Sequence, residues 1–267
     1  MRIQSDGARL AVYDPQPRGK EAVLLVHGWP LSHRIFEYQV QLLLEMGYRP
    51  VSLDLRGFGQ SDAPAAGYGY DQLAADLYGV VQTLKLDRFV LVGFSMGGAV
   101  ALRYMRLYQG YGVRKLLLLS AATPCWVQRP GFPYGISRQR ADGLIALCRT
   151  DRPALCEQFS RELFAAPKST ASLRWIEQIA LEASGIATVQ AAFSLRDEDG
   201  RKDLQAVRVP TSILHGGKDR IVPPELACVQ QKAIPGARLR ILPDSGHGIF
   251  FDQLPLFQQV FAEELRR

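Results

Sequence analysis

Ser95 is the residue around which chemistry can be organised. It lies in Val90-Leu91-Val92-Gly93-Phe94-Ser95-Met96-Gly97-Gly98-Ala99-Val100. The apolar, β-branched run 89–92 reads as a buried strand, residues 100–108 read as a helix, and G-x-S-x-G stands between them. A strand-to-helix turn that tight holds its central residue in a sparsely populated φ/ψ region. It also demands glycine at the flanks, where any side chain would strike the strand or the helix. The turn lifts one hydroxyl above the sheet, the position of a nucleophile.

Serine is a weak nucleophile at neutral pH and needs a base, normally histidine, that a carboxylate orients. Four histidines are available: His27, His33, His215 and His247. His247 follows the strand pattern 239–242 within Asp244-Ser245-Gly246-His247-Gly248, whose glycines allow close approach to another loop. His27 and His215 end apolar strands and precede glycines, which suits a structural role with hydrogen bonds to backbone. For the carboxylate, Asp219 follows the strand pattern 210–214 through His215-Gly216-Gly217-Lys218. The rival strand end, after 113–119, carries Ser120-Ala121-Ala122-Thr123 and no acid. Asp244 is too close in sequence to face His247 and reads as a turn-stabilising residue.

The elements that must position these groups alternate. Asp6-Gly7 marks a hairpin within 2–13. Strand patterns recur at 22–26, 50–53, 89–92, 113–119, 210–214 and 239–242, with helical patterns at 35–45 and 71–84 between them. Alternation of this kind predicts an α/β fold with a mostly parallel sheet and helices on both faces. It stops between 124 and 206, where only helices are expected, at 139–148, 154–164, 169–182 and 185–195. The expected organisation is therefore a core of 1–123 and 207–267 with a helical cap, 124–206, inserted above Ser95 at the ligand-binding edge of the sheet.

Composition excludes several classes. A chain of 267 residues with 47% hydrophobic and 22% charged residues can bury one large core. The net charge of +6 is spread over dispersed arginines, a solvated basic surface with no nucleic-acid stripe. The amino-terminal residues lack the apolar stretch of a signal peptide and no run is long enough to span a membrane, so a cytoplasmic protein without membrane insertion is expected. Four scattered cysteines with no CxxC pair suggest free thiols. Gly216-Gly217-Lys218 fails as a phosphate loop, because Ser212 stands where its first glycine belongs and Asp219 where Ser or Thr should bind magnesium. With no GxGxxG and no metal spacing among the histidines, neither cofactor nor metal is expected.

The motifs His27-Gly28-Trp29-Pro30, Asp54-Leu55-Arg56-Gly57-Phe58-Gly59-Gln60-Ser61, Gly93-Phe94-Ser95-Met96-Gly97-Gly98 and Gly246-His247 together resemble the α/β-hydrolase superfamily over essentially the whole chain. The order Ser95, Asp219, His247 matches that family's nucleophile, acid and base. The HGWP and GFSMGG forms are most similar to cofactor-free bacterial aryl esterases and non-haem chloroperoxidase-like enzymes. That resemblance implies an eight-stranded sheet, a small-molecule ester substrate, and an oxyanion hole formed by the backbone N–H groups of Trp29 and Met96. Serine at the elbow separates the chain from haloalkane dehalogenases and epoxide hydrolases of the same fold, which use aspartate.

Lactone opening and carbon–carbon bond hydrolysis use the same groups, and a ligand receptor on a hydrolase fold is the non-enzymatic alternative. Phe94, Trp126, Phe132, Phe159 and Ile249 are the candidate pocket residues. Bulky apolar neighbours in every motif loop predict small to medium neutral esters, unless a cap arginine, Arg138 or Arg140, reaches the site.

Overall fold

A computed structural model describes residues 1–267. Eight strands form one sheet: β1 (Arg2–Ser5), β2 (Ala8–Tyr13), β3 (Ala22–Val26), β4 (Arg49–Leu53), β5 (Phe89–Phe94), β6 (Val113–Leu119), β7 (Thr211–Gly216) and β8 (Arg238–Leu242), in the spatial order β1-β2-β4-β3-β5-β6-β7-β8. The β1–β2 hairpin turns at Asp6-Gly7, and β2 joins β4 antiparallel. From β4 to β8 every pairing is parallel.

The central strands are apolar throughout because both faces are covered. Val23, Leu25, Val90, Val92, Leu117 and Leu119 point into one core, and their neighbours Leu24, Val26, Leu91, Leu116 and Leu118 into the other, as the two-residue period of a strand requires. Helices α1 (Glu37–Glu45), α2 (Tyr70–Thr83) and α3 (Met96–Leu107) follow β3, β4 and β5. The sequence pattern placed the third of these only from residue 100. It begins four residues earlier because Gly97 and Gly98, poor helix formers, are needed for close contact with β3 and with Ala121.

Between β6 and β7 the chain first forms a loop with the bridges Val127–Ile136 and Arg129–Phe132, where only helices were expected, and is then helical: α4 (Arg138–Thr150), α5 (Arg152–Glu162), α6 (Thr170–Leu181), α7 (Gly185–Asp197) and the short α8 (Arg201–Gln205), which no sequence pattern announced. Ser137, Asp151, Ser169 and Ser184 cap the first four, each side chain accepting a backbone N–H of the first turn. The chain closes with α9 (Glu225–Ala233), α10 (Ile249–Asp252) and α11 (Leu254–Arg266). The cysteines are unpaired, with only Cys228 exposed, and no helix is long and apolar enough to cross a membrane.

Candidate active site

Ser95 is the single residue between β5 and α3, at φ 54° and ψ −121°. Such a conformation costs on the order of 1–3 kcal/mol in a non-glycine residue. Hydrogen bonds hold it there: its N–H donates to Leu119 O at 2.9 Å, and its carbonyl accepts from Gly98 N and Ala122 N, both at 3.0 Å. The flanking glycines are sterically required. A Cβ on Gly93 would lie 2.6 Å from the Gly97 carbonyl oxygen, and one on Gly97 would lie 2.3 Å from that of Val26.

The loop after β3 approaches the serine equally closely, since a Cβ on Gly28 would lie 2.6 Å from Ser95 Cβ. No hydrogen bond within the chain engages the backbone N–H of Trp29 or of Met96. The second belongs to the first turn of α3, where N–H groups are unpaired by the geometry of a helix and carry its positive end. Two donors are thus left over beside one hydroxyl. That is the requirement for binding an oxyanion.

His247 is fully buried in the loop after β8, and its Nδ1 donates to Asp219 Oδ2 at 2.8 Å. Its Nε2 is buried and bonds to nothing, Ser95 included. The imidazole lies against Phe94, ring centroids 4.9 Å apart, beside the serine.

Asp219 is held by more than His247. Its Oδ1 accepts from Ile221 N at 2.9 Å and Val222 N at 2.8 Å, and Oδ2 lies 3.4 Å from His215 Nε2. Burial works to raise the pKa of this carboxyl. The His247 imidazole, its hydrogen bond, His215 and the Val222 amide outweigh burial and hold the carboxyl below its ordinary value.

His215 donates from Nε2 to Val222 O at 2.9 Å, and burial pushes its pKa below the ordinary value. His27 sits between two backbone groups, with Nδ1 donating to Gly28 O at 2.9 Å and Nε2 accepting from Leu55 N at 3.0 Å. Burial lowers its pKa to about 4. His33 pairs with Asp54 at 2.8 Å and stacks on Tyr13, on the far side of the loop after β3. Asp244 does not stabilise its own turn; its carboxylate pairs with Lys218 at 2.6 Å, and the two exposed side chains link the loops that carry His247 and Asp219.

Asp252 is a supporting residue that no sequence motif marks. Its carboxylate accepts from Gly246 N and from Ala165 N, both at 2.8 Å, and so ties the His247 loop to the segment after α5. Gly248 N donates to Leu163 O at 2.7 Å in the same seam.

A cleft leads away from Trp29, lined by Trp126, Leu144, Leu155, Phe159 and Ile221, with Arg140, Gln158 and Glu162 at its rim and about 20 Å³ of free space. Trp29 and Phe159 meet edge to face, 6.3 Å between centroids, and Trp126 Nε1 donates to Ile221 O at 2.8 Å, next to the amide that holds Asp219. Trp126 and Phe159, expected at a pocket, therefore line this cleft. Phe94 and Ile249 lie in the sheet core beneath His247. Phe132 packs on Tyr134 in the opposite core and lines no part of the cleft. Arg140 does reach the cleft, already paired with Glu162, whereas Arg138 pairs with Asp142 and Asp197. A roomier groove of about 460 Å³ beside Tyr13 and His33 contains neither Ser95 nor His247, and the cleft itself reaches the site only through Trp29.

A family model for the alpha/beta hydrolase fold matches residues 21–254. The AB hydrolase superfamily protein YisY of Bacillus subtilis is 44% identical over 241 residues, 90% of each chain. Among solved structures, an esterase from Exiguobacterium antarcticum superposes with a TM-score of 0.97 at 39% identity, covering 100% of this chain and 99% of that one. A bromoperoxidase from Bacillus anthracis superposes with a TM-score of 0.93 at 32% identity over 97% and 96% of the two chains.

Proposed function

This chain belongs to the α/β-hydrolase family and is an enzyme of its esterase type; from that premise we propose that it is a serine hydrolase cleaving small to medium neutral carboxylic esters, aryl esters among them. Ser95 attacks the carbonyl carbon while His247 Nε2 takes its proton. The Asp219 carboxylate fixes the imidazole tautomer through Nδ1 and stabilises the imidazolium. The amides of Trp29 and Met96 receive the oxyanion of the tetrahedral intermediate. Collapse expels the alcohol, which takes its proton from His247, and leaves an acyl group on Ser95 Oγ. Water activated by the same imidazole then releases the acid.

The observation that carries this reading is the polarity of His247: Nδ1 is consumed by Asp219, and Nε2 is the buried, unpartnered atom beside a serine held in a strained turn. The full set of Ser95, Asp219, His247 and the Trp29 and Met96 amides favours catalysis over a receptor on the same fold. Residues 124–206 act as the cap that excludes water and presents the apolar cleft. Its lining is apolar except for the self-neutralised Arg140–Glu162 pair and Gln158 at the rim, and an acyl chain with no charge suits it best. No cofactor enters any step.

Hydrolysis of p-nitrophenyl butyrate tests the assignment. Ser95→Ala and His247→Ala are expected to lower kcat by about a millionfold, and Asp219→Asn by about ten-thousandfold, since the imidazole then settles in the wrong tautomer. Purified Ser95→Ala that keeps more than about one per cent of kcat refutes it.

A further inference from the structure

Resting on the esterase reading, we infer that Glu162 is a specificity determinant: by occupying Arg140 it keeps acidic acyl chains out of the cleft. The cleft is apolar from Trp29 outward along Phe159, Trp126, Leu155 and Leu144, and its only charges stand at the rim. There Arg140 Nη2 donates to Glu162 Oε2 at 3.0 Å, and Gln158 Nε2 donates to Glu162 Oε1 at 2.9 Å. Both carboxylate oxygens are engaged, and the pair bridges α4 to α5.

The free space, about 20 Å³, has room for about one water molecule and none for an acyl chain. An acyl chain enters only if α4 and α5 part, and at the rim they are joined by an ion pair whose side chains are 41% and 31% exposed. A pair so exposed is worth at most about 1 kcal/mol, so a neutral chain opens the rim at small cost. A chain ending in a carboxylate meets a different balance. It must displace Glu162 from Arg140 to gain the one cation available, and it leaves two carboxylates side by side, a repulsion that works against entry. Without Glu162 the same cleft is an apolar tube ending in a free guanidinium, the complement of a dicarboxylic monoester.

The test compares p-nitrophenyl butyrate with the p-nitrophenyl monoesters of succinic, glutaric and adipic acid in wild type, Glu162→Gln and the Arg140→Gln/Glu162→Gln double variant. In Glu162→Gln the ratio of kcat/KM for the acid ester to that for butyrate is expected to rise about fivefold or more, most at one chain length, and to shrink at high salt. In the double variant it returns to the wild-type value. An unchanged ratio in Glu162→Gln, or a gain that survives loss of Arg140, overturns the inference. Wild type that hydrolyses none of the four esters refutes the esterase reading instead. Calorimetric binding of glutarate then decides the role of Glu162 without turnover: tighter binding to Ser95→Ala/Glu162→Gln than to Ser95→Ala supports it, and equal binding overturns it.

Discussion

Gly28 and Ser95 touch, and the contact shows how little freedom the site has. The atoms that a methyl on Gly28 would strike, Ser95 Cβ at 2.6 Å and Phe94 O at 3.1 Å, belong to the turn whose conformation presents the hydroxyl, and neither can swing away. Gly28→Ala is therefore expected to keep its circular dichroism spectrum and lose about a hundredfold in kcat, the usual effect of moving a reacting group by about 1 Å. His27, one residue earlier, links the pH dependence of stability to the same loop. Its pKa is about 4 in the fold against 6.5 for the free side chain. The unfolded chain thus gains the proton first, so stability is full above pH 6.5 and lost as pH falls from there to about 4. Between pH 7 and pH 5 this one group accounts for about 2 kcal/mol, which urea titrations of wild type and His27→Asn at the two pH values would measure as a flatter acid limb in the variant.

At this scale Ser95, His247 and Asp219 are legible because each follows a strand pattern and sits among glycines. Asp252 is not, and of His215 only the structural, backbone-bonded role is, not the partner. Their partners Ala165 and Val222 come near only in the fold, and no local pattern records such a contact.

At the scale of elements, Arg103 on α3 secures the return of the chain from the inserted helices to the sheet. It pairs with Asp71, with Glu198 at 2.9 Å and with Asp203 of α8 at 2.8 Å, and both Arg103 and Asp203 are buried. Removing the cation alone leaves the buried Asp203 with only the partly exposed Arg106, a loss of about 3 kcal/mol. Arg103→Met is expected to melt about 10 °C lower by calorimetry. Arg103→Met/Asp203→Asn should recover much of that difference, and a single variant melting with wild type would contradict the account. The capped helices α4 to α7 were readable to within two residues at each end, since serine or aspartate opens each one and an apolar face follows. Helix α8 was not, because five residues hold too short a period and it depends on Arg103 and Arg106 for its place. The early start of α3 was hidden by glycines, which weigh against helix locally and are selected by a contact to Val26 and Ala121.

For the whole molecule, alternation of apolar runs with helical patterns was enough to infer a parallel sheet, since only doubly covered strands are apolar on both faces. Strand order follows from the α/β-hydrolase fold itself, and the two cores then lie on either side of β3, β5 and β6. That order brings the carboxyl ends of β3, β5, β7 and β8 to one edge, where Gly28, Ser95, Asp219 and His247 meet. What no pattern in the chain could disclose is the nearly closed cleft, which depends on how α4 and α5 pack on Trp29.

The central claim is a covalent intermediate on Ser95, and trapping it is the most direct measurement. A fluorophosphonate that mimics the tetrahedral state should add one equivalent to the wild-type protein, seen as an intact-mass shift and mapped to the peptide carrying Ser95, with labelling slowed by at least about a thousandfold in His247→Ala. Esterase activity that persists while Ser95 remains unlabelled, or a label mapping to any other residue, would contradict the account.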